Sequence, residues 1–436
     1  MLSGGFRRGA KLFGLPLGAA GRATRGVGQR IGGASRSQVN EAMRRESAEQ
    51  LFRVLGEMKG GAQKFGQVLS MFETVLPEDI AEPYRVQLAR LQDSAPPMPT
   101  SRVHAVLARE LGPKWRELFG DFSPRPAAAA SIGQVHRATW TATGQDVAVK
   151  VQYPGADRAL AQDLRQLSRL SSVIAPLAGG IEIKPLVAEL AERINEEADY
   201  EREAAAQQQA AEGFAGDLEF TVPSVLRHTS KVMVSEWIHG DGLREVAERG
   251  RQARNELGLR YVRFLFAGPS RCGLLHADPH PGNFKVLPDG RLGAVDFGLV
   301  ERLPEGLPES MGRLIRIAAE GDGGAVVDGL ADEGFIAGDP AKVDPDELLA
   351  YLSPFVEPAL VPKFSFNRDW MRSTLRRVGD AKVHGKVVRQ LNLPPNYLLI
   401  HRVWLGGIAV LSQLDVEADF RSVLSEYLPG WEAPAA

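Results

Sequence analysis

The chain has 436 residues, and 44% of them are hydrophobic, enough for roughly two or three regions that each bury a core. Its 52 basic and 54 acidic residues leave a formal charge of -2, which gives no support to a nucleic-acid partner. The single cysteine, Cys272, excludes an intrachain disulfide and a thiolate metal cluster, and it is typical of a reducing, cytoplasmic compartment.

The first 36 residues are basic. No acidic residue precedes Glu41, while six arginines and one lysine are scattered among glycines and alanines. A secretory signal is not indicated, because the segment has no compact apolar stretch. We predict a flexible, solvated tail over residues 1–36, with a transit peptide or a segment that contacts anionic lipid as the alternatives.

Residues 37–122 are predicted to form an N-terminal helical extension. Between Ser37 and Leu91 apolar residues recur at helical spacing, as in "FGQVLSMFETV". The prolines of "DSAPPMPT" predict a linker, and "SRVHAVLARELG" predicts a further helix that starts on a serine or threonine cap.

Residues 123–240 combine strands with one long helical stretch. "VHRATW" and "DVAVKVQY" are typical strands, and the glycine of "TATGQ" between them favours a hairpin turn. An acid-rich helical pattern runs from Leu164 to about Ala211, and "VMVSEWIHG" predicts another buried strand.

Residues 241–436 are mostly helical. Two short strands are predicted at "NFKVL" and "RLGAVDFG", joined by the turn signal "PDG". The apolar segment "YLLIHRVWLGGIAVL" is shorter than the roughly 20 residues a membrane span needs and contains His401 and Arg402, so we predict a buried helix. The order of elements predicts an α+β class, two-lobed protein-kinase-like fold, with 123–240 as the N-lobe and 241–436 as the C-lobe.

Lys150, at the end of "VAVK", is the first candidate for the chemistry of phosphoryl transfer. We expect its ammonium to emerge at the strand end and hold nucleotide phosphates, although a lysine in such a place is more often a solvated surface residue. The carboxylates of "INEEADYERE" could pair with it. Glu197 is the choice for this partner and Glu196 its nearest rival, while a solvated acidic helix face is the alternative.

"HADPHPGNF" contains the second set of candidates. Asp278 and Asn283 have the D-x4-N spacing at which kinase catalytic loops place a base-like carboxylate and a magnesium-binding amide. Eighteen positions after Asp278, Asp296 opens "DFG" behind an apolar strand, as a metal-binding carboxylate should. The ordered set of lysine strand, acidic helix, D-x4-N loop and D-F-G is more informative than any of its parts.

A zinc site built from His276, Asp278 and His280 is the competing interpretation of this loop. Two prolines tighten the segment, and no other histidine-rich cluster exists among the eight histidines to complete the site. We therefore expect His276 to support the loop by a hydrogen bond to backbone or to Asp296, and His280 to be a surface residue.

Two further stretches, "AAAASIGQVHRA" and "KFGQ", carry a family resemblance. Alanines stand where an ordinary kinase has its glycine-rich loop, although such a run is by itself equally typical of a helix. With "VAVKVQYPG", "EADYERE", "HADPHPGNF" and "VDFG", the sequence closely resembles the UbiB/AarF (ADCK-like) family of atypical kinases from about Val39 to Leu414.

The resemblance implies further site residues. Lys64 and Gln67 of K-x-G-Q should point into the active site from a helical extension, with Lys64 meeting the acidic "EADYERE" segment. Together with the kinase-like order of elements, it assigns nucleotide contacts to an alanine-rich loop and to a hinge that binds adenine through backbone groups. These nucleotide-contact residues are Ala129, Ala130, Ser131, Gln134, Glu236 and Trp237.

We therefore expect an ATP- or ADP-binding, Mg²⁺-dependent atypical kinase or ATPase. The resemblance ties it to ubiquinone or other isoprenoid-lipid biology, with quinone-biosynthesis proteins as partners, and the basic tail permits peripheral membrane contact. A nucleotide-gated scaffold or lipid chaperone with little turnover is the alternative. A small-molecule phosphotransferase ranks lowest, because such enzymes lack K-x-G-Q and the alanine-rich loop.

Overall fold

The computed structural model describes residues 97–130, 132–156, 199–379 and 383–432. The backbone divides into two compact units: one comprises Met1–Met98, Ala129–Gly133 and Tyr153–Gln166, and the other Pro99–Ala128, Gln134–Gln152 and Leu167–Ala436. The predicted tail and most of the predicted helical extension, including Lys64 and Gln67, lie outside the described residues. The domain boundaries remain predictions.

The described chain contains both strands and helices. The strands are β1 Phe119–Phe122, β2 Ala128–Ala130, β3 Gly133–Trp140, β4 Asp146–Gln152, β5 Phe220–Thr221, β6 Val225–His228, β7 Val232–Glu236, β8 Asp241–Gly242, β9 Leu274–His276, β10 Phe284–Val286, β11 Leu292–Ala294, β12 Val300–Arg302, β13 Phe364–Phe366 and β14 Val416–Ala418. The α-helices are α1 Thr100–Glu110, α2 Tyr200–Gly213, α3 Leu243–Ala247, α4 Arg251–Cys272, α5 Glu309–Glu320, α6 Gly323–Asp332, α7 Pro345–Leu360, α8 Arg368–Gly379, α9 Gly385–Val388, α10 Leu398–Leu414 and α11 Phe420–Tyr427.

In the first unit, the described residues lie around the alanine-rich stretch. Ala129 is exposed and Ala130 is buried in β2, so this part of the stretch is a strand and not the helix that alanine content alone favours. The Ile132 carbonyl accepts a hydrogen bond of 2.8 Å from the Tyr153 N–H. Ser131 lies outside the described residues.

The second unit contains a sheet in the order β1-β3-β4-β7-β6, in which the pairs β1–β3, β4–β7 and β6–β7 are antiparallel. The predicted turn between β3 and β4 contains Gly144 at φ +71°, a conformation that glycine adopts without steric cost. Lys150 faces Met233 of β7 within β4, which continues to Gln152. The prediction that Lys150 stands at a strand end is therefore wrong: Val151 is buried opposite Val232 of β7, and the N–H of the buried Gln152 donates to the Lys231 carbonyl.

Helix α1 starts at Thr100 and buries Val103, Val106 and Leu107. The expected serine or threonine cap is wrong, because Pro99 occupies the N-cap and the Thr100 hydroxyl donates to the Pro124 carbonyl at 3.3 Å. Helix α2 is the described part of the predicted acid-rich helix. Its N-cap is Asp199, whose carboxylate accepts from the Glu201 N–H at 3.0 Å.

Two short sheets follow, in the orders β5-β11-β10-β8 and β12-β9. The predicted β10–β11 hairpin turns at Gly290, which has φ +89°. Helix α4 ends at the left-handed Gly273. Its last residue, Cys272, is half-buried with its thiol near the Gly268 carbonyl, and burial raises the pKa of this thiol.

Helix α10 is the predicted buried helix of the C-terminal region. Its buried residues include Leu399, Val403 and Leu411. Among the described residues, the helical segment Pro395–Leu414 is the one whose length and composition would allow it to cross a membrane, and half of the window that meets this criterion is buried inside the protein. Core helices meet the same criterion.

Candidate active site

Lys150 is the centre of a buried ion-pair cluster. Its Nζ donates to Glu203 Oε1 at 2.6 Å and to Asp296 Oδ1 at 3.0 Å, and it lies 5.2 Å from the centre of the Tyr200 ring. The side chains of Lys150, Glu203 and Asp296 are 11%, 1% and 33% exposed. Two carboxylates that are far from Lys150 in the chain, those of Glu203 and Asp296, thus contact its ammonium group.

The electrostatics of this cluster keep Lys150 charged. Burial by itself would lower the pKa of Lys150, because it disfavours the ammonium form. The carboxylates of Asp296 and Glu203 outweigh burial and raise the pKa well above its ordinary value. Lys150 is therefore a fixed cation at physiological pH.

Glu203 replaces Glu197 as the carboxylate partner of Lys150. Both Glu196 and Glu197 lie outside the described residues, and the contacts of Lys150 are made by Glu203 and Asp296. The physical reason lies in the face of α2, since Glu203 shares its buried side with Tyr200 and Gln207. This i, i+3, i+7 spacing in "YEREAAAQQ" is a signal that sequence reasoning had available and did not use.

The loop after β9 brings Asp278 and Asn283 together. The Asn283 amide nitrogen donates to Asp278 Oδ2 at 2.8 Å and approaches the Asp278 carbonyl at 3.2 Å. A 3₁₀ turn over Pro281–Asn283 closes the loop. The D-x4-N spacing therefore corresponds to a direct contact between the two side chains.

Pairing of β10 with β11 brings Asp296 to the same place. Phe284 is opposite Ala294, and the Val295 N–H donates to the Asn283 carbonyl at 2.9 Å. Asp296 itself has φ +64°, a left-handed conformation that is uncommon outside glycine and costs of order 1–2 kcal/mol. Strain of this kind concentrates at functional sites, and no residue pattern around Asp296 predicts it.

His276 supports the loop as predicted. Its Nε2 donates to the Val295 carbonyl at 3.1 Å, and its ring contacts Phe284 and Phe297. His280 is exposed, and its Nδ1 accepts from the Gly282 N–H. The described part of the chain contains no group of three or more His, Cys, Asp or Glu side chains arranged to hold a metal ion.

Arg402, on α10, is a site residue that sequence reasoning missed. Its Nη2 donates to Asp278 Oδ1 at 3.0 Å, and its Nε donates to the Ala277 carbonyl at 3.0 Å. In the sequence, Arg402 is a charge that argues against a membrane span, and no motif connects it to Asp278. Its position among apolar residues was the available signal, because a charged side chain in a buried helix needs a partner.

The expected hinge residues use their own N–H groups internally. The Glu236 N–H donates to the Ser224 carbonyl and the Trp237 N–H to the Asp146 carbonyl, both at 3.0 Å. The N–H of Ile238, the next residue, makes no hydrogen bond within the described structure. A hinge at this strand end would therefore donate from Ile238.

Gln134 has a packing role in the second unit. It is 1% exposed, and its amide nitrogen lies 2.8 Å from His136 Nε2, while His136 Nδ1 contacts the Ser123 carbonyl. These contacts connect β3 to the segment after β1. A nucleotide contact by Gln134 stays a prediction.

A protein-family model described as the ABC1 atypical kinase-like domain matches residues 90–329, more than half of the chain. The chain belongs to this family. The match includes Lys150, Glu203, Asp278, Asn283 and Asp296, whereas Arg402 lies beyond it. The family names of its relatives confirm the UbiB/AarF resemblance.

The relatives are longer proteins. A probable protein kinase UbiB from Marinobacter nauticus is 36% identical over 55% of this chain and 45% of its own length. The chloroplastic protein ACTIVITY OF BC1 COMPLEX KINASE 1 from Arabidopsis thaliana is 34% identical over 67% of this chain and 43% of its own length. The chain thus spans less than half of the length of either relative.

A solved structure matches a larger share of this chain than these two relatives do. The complex of Rv3197 with erythromycin from Mycobacterium tuberculosis is 40% identical, covers 92% of this chain and 100% of that chain, and superposes with a TM-score of 0.68. The mixed helix-and-sheet, kinase-like fold predicted from the sequence is therefore confirmed.

Proposed function

We propose that the protein is an ATP-binding, Mg²⁺-dependent atypical kinase or ATPase of the UbiB type. The observation that carries this proposal is the convergence of Glu203 and Asp296 on Lys150, at 2.6 and 3.0 Å. Phosphoryl transfer needs a fixed cation, a carboxylate that orients it and a metal-binding carboxylate, and we assign these roles to Lys150, Glu203 and Asp296.

Lys150 is the residue for the α- and β-phosphates. Its ammonium has three N–H donors, and the described contacts use two of them, which leaves one for a phosphate oxygen. Glu203, which is almost fully buried, fixes the direction of the ammonium. The backbone after β7, with the Ile238 N–H as donor, is the surface for adenine.

Asp296 and Asn283 are the residues that fit Mg²⁺. The Asp296 side chain is a third exposed, and the Asn283 amide nitrogen is turned toward Asp278, so the amide oxygen remains as a ligand. Two protein oxygens suit Mg²⁺, which keeps several waters and takes phosphate oxygens as further ligands. When bound, the ion would neutralise the charge of the phosphates.

Asp278 is the residue for the acceptor hydroxyl or for an attacking water. Its carboxylate is fixed by donors on both oxygens, Arg402 on Oδ1 and Asn283 on Oδ2. A carboxylate oxygen has more than one lone pair, so each oxygen can accept a further hydrogen bond. Asp278 can therefore receive a proton donor without losing either contact.

Steady-state ATP hydrolysis with Mg²⁺, in the presence of detergent or phospholipid, tests this function. We expect Asp296→Asn to lower turnover by about 100-fold or more, because a metal ligand and a partner of Lys150 are both lost. Nucleotide binding, measured by thermal shift with Mg-ADP, should weaken as well. Unchanged binding and turnover in Asp296→Asn would refute these roles.

A nucleotide-gated scaffold with little turnover is the second candidate. It is favoured by the same two donors on Asp278, because hydrogen bonds to both carboxylate oxygens leave fewer lone pairs for the proton of a hydroxyl or a water. In that case wild-type protein would bind Mg-ATP and hydrolyse it no faster than Asp278→Asn. Hydrolysis well above this control would support the kinase or ATPase.

We also propose a link to ubiquinone or another isoprenoid lipid, with peripheral membrane contact from a cytoplasmic location. The support is the family resemblance and the similarity to a protein named UbiB. Flotation of full-length protein with liposomes, compared with protein lacking residues 1–36, tests the membrane contact. Equal recovery of both proteins in the floating fraction would show that residues 1–36 are not needed for membrane contact.

A further inference from the structure

Helix α10 touches the loop of Asp278 at two residues on the same side of the helix. Arg402 and Gly406 are four positions apart, so they lie one turn apart on one face. We infer that this face is a positioning element that sets the place of the Asp278 carboxylate during the reaction. The inference rests on the proposed function insofar as Asp278 has a catalytic role.

The polar part of the contact is made by Arg402. One guanidinium donates through Nε to the backbone carbonyl of Ala277 and through Nη2 to the side chain of Asp278, both at 3.0 Å. It therefore fixes the backbone just before the aspartate and the carboxylate itself. A planar guanidinium can make both contacts at once, whereas a lysine ammonium on a flexible chain cannot reproduce the fork.

The apolar part of the contact is made by Gly406. A Cβ atom at this position would overlap Cγ of Pro279 and lie 3.5 Å from its Cβ. Pro279, the residue after Asp278, is thus in direct contact with the α10 backbone at Gly406. The next helix residue differs, since a Cβ at Gly407 would lie at an ordinary 3.5 Å from Leu265 Cδ1.

A second helix, α4, also contacts the loop of Asp278. The Tyr261 hydroxyl is buried and donates to the Pro279 carbonyl at 2.6 Å. Pro279 is therefore fixed both at its ring, by α10, and at its carbonyl, by α4. With the loop anchored in this way, removing one contact should displace Asp278 locally and leave the fold intact.

The first experiment replaces Arg402. In Arg402→Gln, we expect kcat for ATP hydrolysis to fall by about 10- to 100-fold while the nucleotide KM changes less than about threefold, because displacement of a catalytic group affects the chemical step more than binding. Arg402→Lys, which keeps the charge, should recover part of the loss. Arg316→Gln is the control, since Arg316 is a partly exposed arginine on α5 that pairs with Glu320.

The second experiment compares two adjacent glycines. Alanine is the better helix former at both positions, so neither substitution should weaken the helix itself. A methyl group at Gly407 would make only an ordinary contact with Leu265, so Gly407→Ala should keep wild-type kcat. Gly406→Ala should lower kcat, because its new methyl group displaces Pro279. Equal kcat in the two variants would overturn the inference.

Amide hydrogen exchange of residues 274–284 gives a readout that does not need turnover. We expect exchange in this segment to be faster in Arg402→Gln and Gly406→Ala than in wild type, Arg316→Gln and Gly407→Ala. If wild type hydrolyses no ATP, the proposed function fails and exchange alone decides the inference. Unchanged exchange in Arg402→Gln, or a kcat that rises on its removal, would show that α10 does not position the loop for catalysis.

Discussion

At the scale of single residues, the buried cluster around Lys150 is the feature that needs most explanation. The side chains of Lys150 and Glu203 are both buried, and burying either charge alone would be costly. The two contacts at 2.6 and 3.0 Å compensate for desolvation. A cluster of this kind is better suited to function than to stability, because apolar residues of similar size would be at least as stable.

Removing one carboxylate from this cluster should destabilise the protein. Glu203→Gln leaves the buried Lys150 ammonium with Asp296 as its charged partner, and we expect the free energy of unfolding to fall by about 3 kcal/mol. Denaturant unfolding monitored by circular dichroism measures this change. The control is Glu201→Gln on the same helix, where Glu201 is exposed and the change should stay within about 0.5 kcal/mol.

A fall of less than about 1 kcal/mol in Glu203→Gln would mean that the ion pair contributes no more than a surface pair.

Sequence reasoning found the site residues whose spacing is local. Asp278 and Asn283 are five positions apart in one loop, so their contact could be expected from the chain itself. Arg402 is 124 positions from Asp278, and nothing in the local pattern connects the two. The choice among the glutamates failed for a related reason, because it depended on which face of α2 is buried and not on motif order.

At the scale of elements, the C-terminal segment packs closely on helix α5. The segment Pro429–Trp431 packs on α5 at Gly312, where a Cβ atom would overlap the Pro429 carbonyl oxygen and the Trp431 nitrogen. Trp431 is 5% exposed and belongs to the same apolar cluster as Leu424 and Leu428. Glycine at 312 therefore permits the final segment to cover α5.

This packing gives a prediction for the helix. Gly312→Ala should lower the free energy of unfolding by about 2 kcal/mol, since the strain of overpacking exceeds the gain in helix propensity. Gly324→Ala, in the first turn of α6, is the matched control. Its Cβ would meet only the Asp322 carboxylate, at 3.5 Å, so stability should be unchanged or rise by up to about 1 kcal/mol.

If thermal or denaturant unfolding gives the two alanine variants equal stability, the close approach at Gly312 is not rigid.

Elements were easier to predict than their ends. The β3–β4 and β10–β11 hairpins were predicted from turn glycines between apolar runs, and both form. The end of β4 was misplaced because its buried pairing with β7 continues past Lys150. The alanine-rich run was ambiguous by propensity, and the strand there depends on tertiary context that propensity does not contain.

At the scale of the whole molecule, stability should depend on pH through His401 on α10. Burial disfavours the imidazolium and lowers the pKa of His401 to about 4, compared with about 6.5 in the unfolded chain. Between these values the unfolded state binds a proton that the folded state does not. The contribution of His401 is therefore favourable near neutral pH and is lost as the pH falls from about 6.5 to about 4.

His401→Gln removes this proton uptake. We expect the free energy of unfolding of the variant to fall less steeply than that of wild type between pH 7 and about pH 5. Urea unfolding at several pH values measures both slopes, and the carboxylates that titrate in the same range are common to both proteins. Parallel slopes would mean that His401 titrates alike in the folded and unfolded states.

The single half-buried thiol at the end of α4 has a practical consequence for measuring the loop movements inferred above. Because the pKa of Cys272 is raised, little of it is thiolate at neutral pH, and its reaction with maleimides should be slow. A cysteine introduced at an exposed site would react first. Spin or fluorescent labels could therefore be attached at one chosen position without first replacing Cys272.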